Sequence, residues 1–417
     1  MELLFMTNKP LSLAHRRKNS LSVIYCLLIV CGTFSLIHGW FPQLHRLVYI
    51  CAAIIMLSVI LVPEFFRSKI FLWSVFYAAI VYMNHLFGDA YTEDKLILDG
   101  LTMISCGCLS YYYLLHDDTK SKRLLIILSL VIVGVDMLGT LLMYMVDPEI
   151  VRSVQMIANG GDNESTLPFY RYGMVEYDVL HGLPVLIPPL VMWIRNKKTS
   201  FVWKVVSGLA LVCLLILLYI GDATTPILLA LFAVVVSLLI VQNNHKKSVQ
   251  RMVVISLLAS PFLVSDSFML GILSSASKVT SGELQKKIED ASAGIKYGGL
   301  EGDAGTRYEL YEHSFNAFIE NPIWGGDDLD KLGGHSALFD RLGSFGLLGS
   351  IPWVIVIVLF IRFIYKYIPY RARDYFIVGS FCFVALMILK NMSYFYTWFT
   401  FMVLLPCMLT FDVENKK

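Results

Sequence analysis

Twelve apolar runs, at roughly 20–41, 47–65, 70–88, 97–115, 124–145, 179–194, 203–220, 227–241, 252–268, 345–365, 376–389 and 393–411, take up most of this 417-residue chain. A bilayer core of about 30 Å takes about 20 apolar residues per helix, so runs of this kind read as spans. Lipid cannot satisfy the backbone of an open strand, and the alternation of a barrel is missing, so each run is expected to be a helix. The predicted fold class is therefore an all-α polytopic membrane protein of about twelve transmembrane helices, one integral membrane domain over 1–417. Composition agrees, with 57% hydrophobic and 16% charged residues, against about 25% charged in soluble domains. An ordinary cytosolic enzyme is excluded. So is a nucleic-acid binder, because a net charge of +2 supplies no basic face. Arg16, Arg17 and Lys18 precede the first run as they would in a signal peptide, but no small-residue cleavage site follows and the run is long enough to span.

Charge placement predicts the orientation. With the N-terminus cytoplasmic, the inside segments hold 22 of the 34 basic residues, among them Lys120, Lys122, Arg123, Arg195, Lys197, Lys198, Lys246, Lys247, Arg371 and Arg373. Every short inside loop then carries at least two, as the positive-inside bias demands, while most carboxylates fall outside. An even number of spans returns the C-terminus to the cytoplasm. Two outside segments, 146–178 and 269–344, are too long for mere connectors, and long ordered loops are where function concentrates. All eight cysteines sit within predicted spans, where Cys acts as a small apolar residue, so no disulfide framework is expected on the outer face. Cys106-Gly-Cys108 lacks the second ligand pair of a zinc site and reads as packing.

The loop 269–344 has internal structure. Thr280 and Glu283 make a possible capping box for a short polar helix through Lys286, Lys287 and Ile288. Tyr308, Tyr311, Phe315, Phe318 and Ile319 then recur at helical spacing from Thr306 to Glu320, and Asn321-Pro322 stops that helix. Arg307 falls in its first turn, where the macrodipole disfavours a cation. Two readings stay open: a salt bridge to Glu301, Asp303 or Glu309, or an anion site in which a guanidinium fork and free helix N–H groups meet phosphate oxygens. Beyond lie Gly325-Gly326, Asp328-Leu329-Asp330 and Gly333-Gly334-His335-Ser336. The acidic pair is like the metal-holding carboxylates of sugar-nucleotide transferases, but nucleotide sugars are cytoplasmic and this loop is expected outside. His335, in a glycine-rich loop beside the bilayer, can titrate near neutral pH and act as a base.

The order Thr306-Arg307-Tyr308, Asn321-Pro322-Ile-Trp-Gly325-Gly326, Gly333-Gly334-His335-Ser336, Asp340-Arg-Leu342 and Gly346-Leu-Leu-Gly349 resembles the large outer loop of the bacterial O-antigen polymerase and O-antigen ligase superfamily. Tyr170-Arg171-Tyr172-Gly173, followed by Asp178, is similar to a second segment of that superfamily. The chain departs from it at Ser336, where many members have Asn, and in the turn 221–226, which lacks an Arg. The resemblance implies a metal-independent membrane glycosyltransferase with no cofactor, acting at the outer leaflet of the bacterial plasma membrane. Its donor would be an oligosaccharide linked to undecaprenyl pyrophosphate. Arg307 and His335 are implied as catalytic residues, and Arg171, Tyr172, Asp178 and Tyr311 as contacts to pyrophosphate or glycan. Arg171 is equally readable as a headgroup anchor. Expected partners are the lipid-linked oligosaccharide and membrane lipids, with a chain-length regulator and a flippase as companions.

Elsewhere, Asp136 lies mid-span and either lines a path or pairs with a polar group on a neighbouring helix. His181, followed by Pro184, Pro188 and Pro189, reads as structural in a kinked helix. Tyr111, Tyr112, Tyr113, Tyr365, Tyr367 and Tyr370 read as an interfacial belt. Rival functions fit less well. A transporter or flippase should show a repeat between the two halves, which is absent. A lipid-dependent transferase with its catalytic Asp in the first outer loop would need a carboxylate in 38–46, and there is none. Within the superfamily, the double-glycine His-Ser loop favours a polymerase of surface polysaccharide (O-antigen, capsule or exopolysaccharide) over a ligase acting on the lipid A core.

Overall fold

The computed structural model describes residues 21–28, 47–87, 93–116, 118–146, 177–221, 224–241, 244–263, 266–280, 282–297, 303–326, 332–390 and 395–411. Among them every regular element is helical, in keeping with the expected all-α class. The helices are α1 (21–28), α2 (Leu47–Leu61), α3 (Lys69–Phe87), α4 (Glu93–Leu115), α5 (Thr119–Val146), α6 (Tyr177–Gly182), α7 (Ile187–Arg195), α8 (Phe201–Ile220), α9 (Thr224–Leu239), α10 (His245–Leu263), α11 (Asp266–Ser277), α12 (Gly282–Tyr297), α13 (Asp303–Glu320), α14 (Ala337–Tyr367), α15 (Arg373–Leu389), α16 (Phe395–Phe399) and α17 (Leu405–Thr410). A 3₁₀ turn, Leu183–Leu186, joins α6 to α7, so the proline-marked kink is present, and a π-helical turn, Thr400–Leu404, joins α16 to α17.

Among the described residues, four helices are long and apolar enough to cross a bilayer: Thr119–Val146, Phe201–Ile220, Ala337–Tyr367 and Tyr370–Leu389. Five shorter apolar helices accompany them, including Val179–Arg195 and Phe395–Thr410. Around the ninth expected span, 252–268, the described residues give α10 as far as Leu263 and α11 from Asp266, and α11 packs on α12.

The core lies where α3, α4 and α14 meet. Helix α3 packs on α4 and on α14, and α13 lies along α14. Trp353, Val356, Phe360 and Ile364 of α14 are buried against this centre, beside Phe65 and Tyr77. Gly107 of α4 gives the Phe360 ring its place, since a Cβ there would stand 2.9 Å from Phe360 Cζ. The belt reading holds only in part. Tyr365, Tyr367 and Tyr370 are exposed, but Tyr112 and Tyr113 are buried. They turn inward because Tyr112 donates to Asp118 Oδ2 at 2.8 Å and Tyr113 pairs with Ser121 Oγ at 3.1 Å, which draws both hydroxyls into the bundle. Asp136 on α5 is fully buried, as is His181 on α6. The seven described cysteines are free thiols.

Candidate active site

Helix α14 is broken near its start. Gly346 has φ 55° and ψ −156°, a backbone conformation essentially confined to glycine. A Cβ at this position would sit 2.4 Å from Ile323 O. The break divides α14 into a short first half, 337–345, and a long second half, 347–367.

Breaking a helix strands backbone groups, and each must find a partner. Here the loop after α13 supplies them. Leu347 N–H donates to Pro322 O at 2.9 Å and Leu348 N–H to Ile323 O at 3.2 Å. On the other side of the break, Gly343 O accepts from Gly326 N–H at 2.6 Å, and Ser344 O accepts from Asn84 Nδ2 at 3.0 Å. Asn84 also donates to Trp324 O, tying α3 to the same loop. The Asn-Pro-Ile-Trp-Gly segment is thus stitched into the helix break.

The first half of α14 organises the loop that precedes it. Ser336 caps the helix, its Oγ accepting from Phe339 N–H at 3.2 Å. Asp340, 2% exposed, gathers three donors: Ser314 Oγ of α13 at 2.7 Å and Gly334 N–H at 3.1 Å on Oδ1, and Ser336 N–H at 3.2 Å on Oδ2. Ser314 Oγ in turn accepts from Gly333 N–H at 2.9 Å. Gly333 is pressed onto α13, where a Cβ would come within 1.9 Å of Leu310 O, so only glycine fits. Half-buried His335 stands between these fixed points, with Nδ1 3.2 Å from Gly333 O.

Arg341, the next residue, faces the bundle. Its Nη2 lies 2.7 Å from Asp99 Oδ2, its Nε donates to Tyr77 OH at 2.9 Å, and its guanidinium sits over the Trp353 ring at 4.6 Å. Tyr77 OH donates to the same Asp99 oxygen at 2.6 Å. Taking an ion pair out of water is costly unless other bonds compensate. Here Asp99 Oδ2 receives both Arg341 and Tyr77, while Asp99 Oδ1 is buried without a hydrogen-bond partner among the described residues.

The described residues place the expected site as follows. Arg307 is in α13, but that helix starts at Asp303, not Thr306, so Arg307 is one turn inside it and the unfavourable first-turn position does not arise. Asp303 is the acidic residue there, which suits the positive end of the dipole. The polar helix expected near Lys286 is longer than read, running Gly282–Tyr297 as α12, and Thr280 closes the preceding helix by donating to Ala276 O. Tyr311 projects from α13 to the far end of α15, its hydroxyl donating to Leu389 O at 3.0 Å, with its ring beside Phe339. Ala337 N–H donates to Lys390 O, so the end of α15 is docked to both α13 and the His335 loop. Asp178 lies on α6, three residues before His181. Arg171, Tyr172 and the pair Asp328 and Asp330 lie outside the described residues. Among the described residues, no group of three or more His, Cys, Asp or Glu stands together as a metal-ligand set.

Residues 185–327 match the family model described as O-antigen ligase. The match supports the O-antigen ligase and polymerase superfamily for this chain. It covers about a third of the chain, from the 3₁₀ turn before α7 to the glycines that dock on the α14 break. No curated protein and no solved structure matches. The matched segment takes in Arg307 and Tyr311, and the loop that carries His335 is held to α13 by Ser314 and Asp340.

Sequence reading named Asp340 only within the resembling motif, and it missed Ser314, Asp99, Tyr77 and Asn84 as parts of this assembly. One signal was available. Asp340-Arg341 is a charged dipeptide at the mouth of a long apolar helix, where burying charge is costly and calls for named partners.

Proposed function

We propose that this protein polymerises lipid-linked oligosaccharide repeat units of a surface polysaccharide at the outer leaflet of the bacterial plasma membrane. The donor glycan leaves undecaprenyl pyrophosphate for a sugar hydroxyl on an acceptor repeat unit. The bond from the anomeric carbon to the pyrophosphate oxygen breaks, the acceptor oxygen bonds to that carbon, and undecaprenyl pyrophosphate departs. Arg307 and Arg171 stabilise the charge gathering on the leaving group, as bidentate cations suit pyrophosphate. His335 takes the acceptor hydroxyl's proton. Tyr172, Asp178 and Tyr311 contact the pyrophosphate or the glycan. The proposal includes twelve spans, both termini cytoplasmic, with the segments 146–178 and 269–344 facing outward.

One observation carries this reading: the family-matched segment ends in the loop that the first half of α14 grips together with His335. The matching family, described as O-antigen ligase, also favours a second reading, a ligase that passes finished polymer to a lipid A core or other acceptor.

Deletion of the protein followed by gel electrophoresis of the surface glycan separates these readings. Loss of the ladder with single repeat units retained is the expected result. Accumulation of unlinked full-length polymer makes the ligase right. Repeat units trapped on the inner leaflet would mark a flippase and overturn both.

A further inference from the structure

The peptide group between Gly333 and Gly334 is held at both ends. Its N–H, on Gly334, donates to Asp340 Oδ1 at 3.1 Å, and its carbonyl, on Gly333, faces His335 Nδ1 at 3.2 Å. A carbonyl oxygen only accepts, so the ring nitrogen facing it is the one that carries the proton.

We infer that Asp340 acts on His335 through this peptide: the carboxylate fixes and polarises the peptide group, the Gly333 carbonyl holds the Nδ1 proton, and Nε2 becomes the basic nitrogen of the ring. Asp340 is then a positioning residue for the proton acceptor of the reaction proposed above, and its catalytic meaning rests on that reading. The tautomer itself does not.

Three observations separate this role from ordinary helix capping. A cap needs one oxygen, and Oδ2 already serves it by accepting from Ser336 N–H. Oδ1 is directed elsewhere, to Ser314 Oγ on α13 and to the Gly334 N–H. Ser314 also accepts from Gly333 N–H, so the N–H groups of both glycines preceding His335 are tied to the same hydroxyl–carboxylate pair. Successive hydrogen bonds polarise one another, and the effect grows where water is excluded. Asp340, at 2% exposure, is in such a place. The result is a carboxylate–imidazole couple with one peptide group interposed. An isolated histidine side chain favours the proton on Nε2, so the couple reverses the intrinsic preference and presents a base at the nitrogen farther from the backbone.

The tautomer can be read directly by ¹⁵N NMR of the full-length chain labelled at its nine histidines, in detergent or nanodiscs, at a pH where the rings are neutral. A His335→Gln sample assigns the signal. The wild type is expected to show His335 protonated on Nδ1. Asp340→Asn should move the proton to Nε2 and leave the other histidines unchanged. Ser314→Ala keeps the carboxylate and removes one of its donors, and it should move the population partway in the same direction; it also carries the test if Asp340→Asn does not fold. A wild-type ring protonated on Nε2, or a tautomer unmoved by both variants, overturns the inference. In turnover of a lipid-linked repeat unit, Asp340→Asn should lower kcat at least about tenfold, within the range of proton-transfer catalysis, with KM for the donor nearly unchanged. A loss that merely follows the folded fraction makes Asp340 a structural cap and overturns it as well. If His335→Ala polymerises normally while the tautomer result holds, the functional reading fails and the inferred couple stands.

Discussion

The two halves of α14 sit end to end and do opposite work. The first half, 337–345, is held by directional bonds: Ser336, Asp340, Arg341 and Ser344 are all buried, and each has a named partner. The second half, 347–367, is held by contact: Trp353, Val356, Phe360 and Ile364 fill the core, and Phe363 stacks on Tyr111 with ring centroids 4.0 Å apart. The difference follows from the solvent. Among lipid tails an apolar face gains little by choosing one neighbour over another, so packing alone holds a bundle loosely in register, whereas a polar bond away from water fixes atoms. Position is therefore set where the polar groups are, next to His335, and cohesion where the rings are.

The comparison can be broken from the polar side first. Arg341→Met leaves Asp99 buried without its cation, which should cost about 3–5 kcal/mol of stability. Adding Asp99→Asn removes the stranded charge and should recover most of the loss, read as thermal stability in detergent. At the junction, Gly346→Ala adds a Cβ 2.4 Å from Ile323 O at a positive φ, and strain with overpacking should cost about 3 kcal/mol. Activity should fall further than stability there, because the break is what seats the loop. On the apolar side, Phe360→Leu should cost no more than about 1.5 kcal/mol and leave glycan synthesis at the wild-type level per folded molecule. A Phe360 variant that lost activity while folded would erase the distinction between the halves.

The apolar half was legible in the sequence and the polar half was not. A span announces itself because crossing lipid takes a run of apolar residues whatever else the chain does, which is why α5, α8 and the second half of α14 lie close to their expected places. The break at Gly346 depends on the Pro322 and Ile323 carbonyls, and glycine there looks like any glycine entering a span. The ion pair joins residues 242 positions apart, and no local pattern reports such a partner. Arg307 falls in a first turn when the helix is read from its aromatic spacing, which starts at Thr306. Asp303 starts the helix instead, and Gly305 lies within it. His335 was recognised by its glycines, but the reason for those glycines, the seat on Leu310 O and the peptide shared with Asp340, is tertiary.

The most direct test of the central claim, that the loop carrying His335 transfers glycan from a lipid-linked donor, is the surface-glycan ladder of the deletion strain complemented with Arg307→Lys or His335→Ala at wild-type expression. Both variants are predicted to leave single repeat units and no ladder. A normal ladder from both would contradict the account.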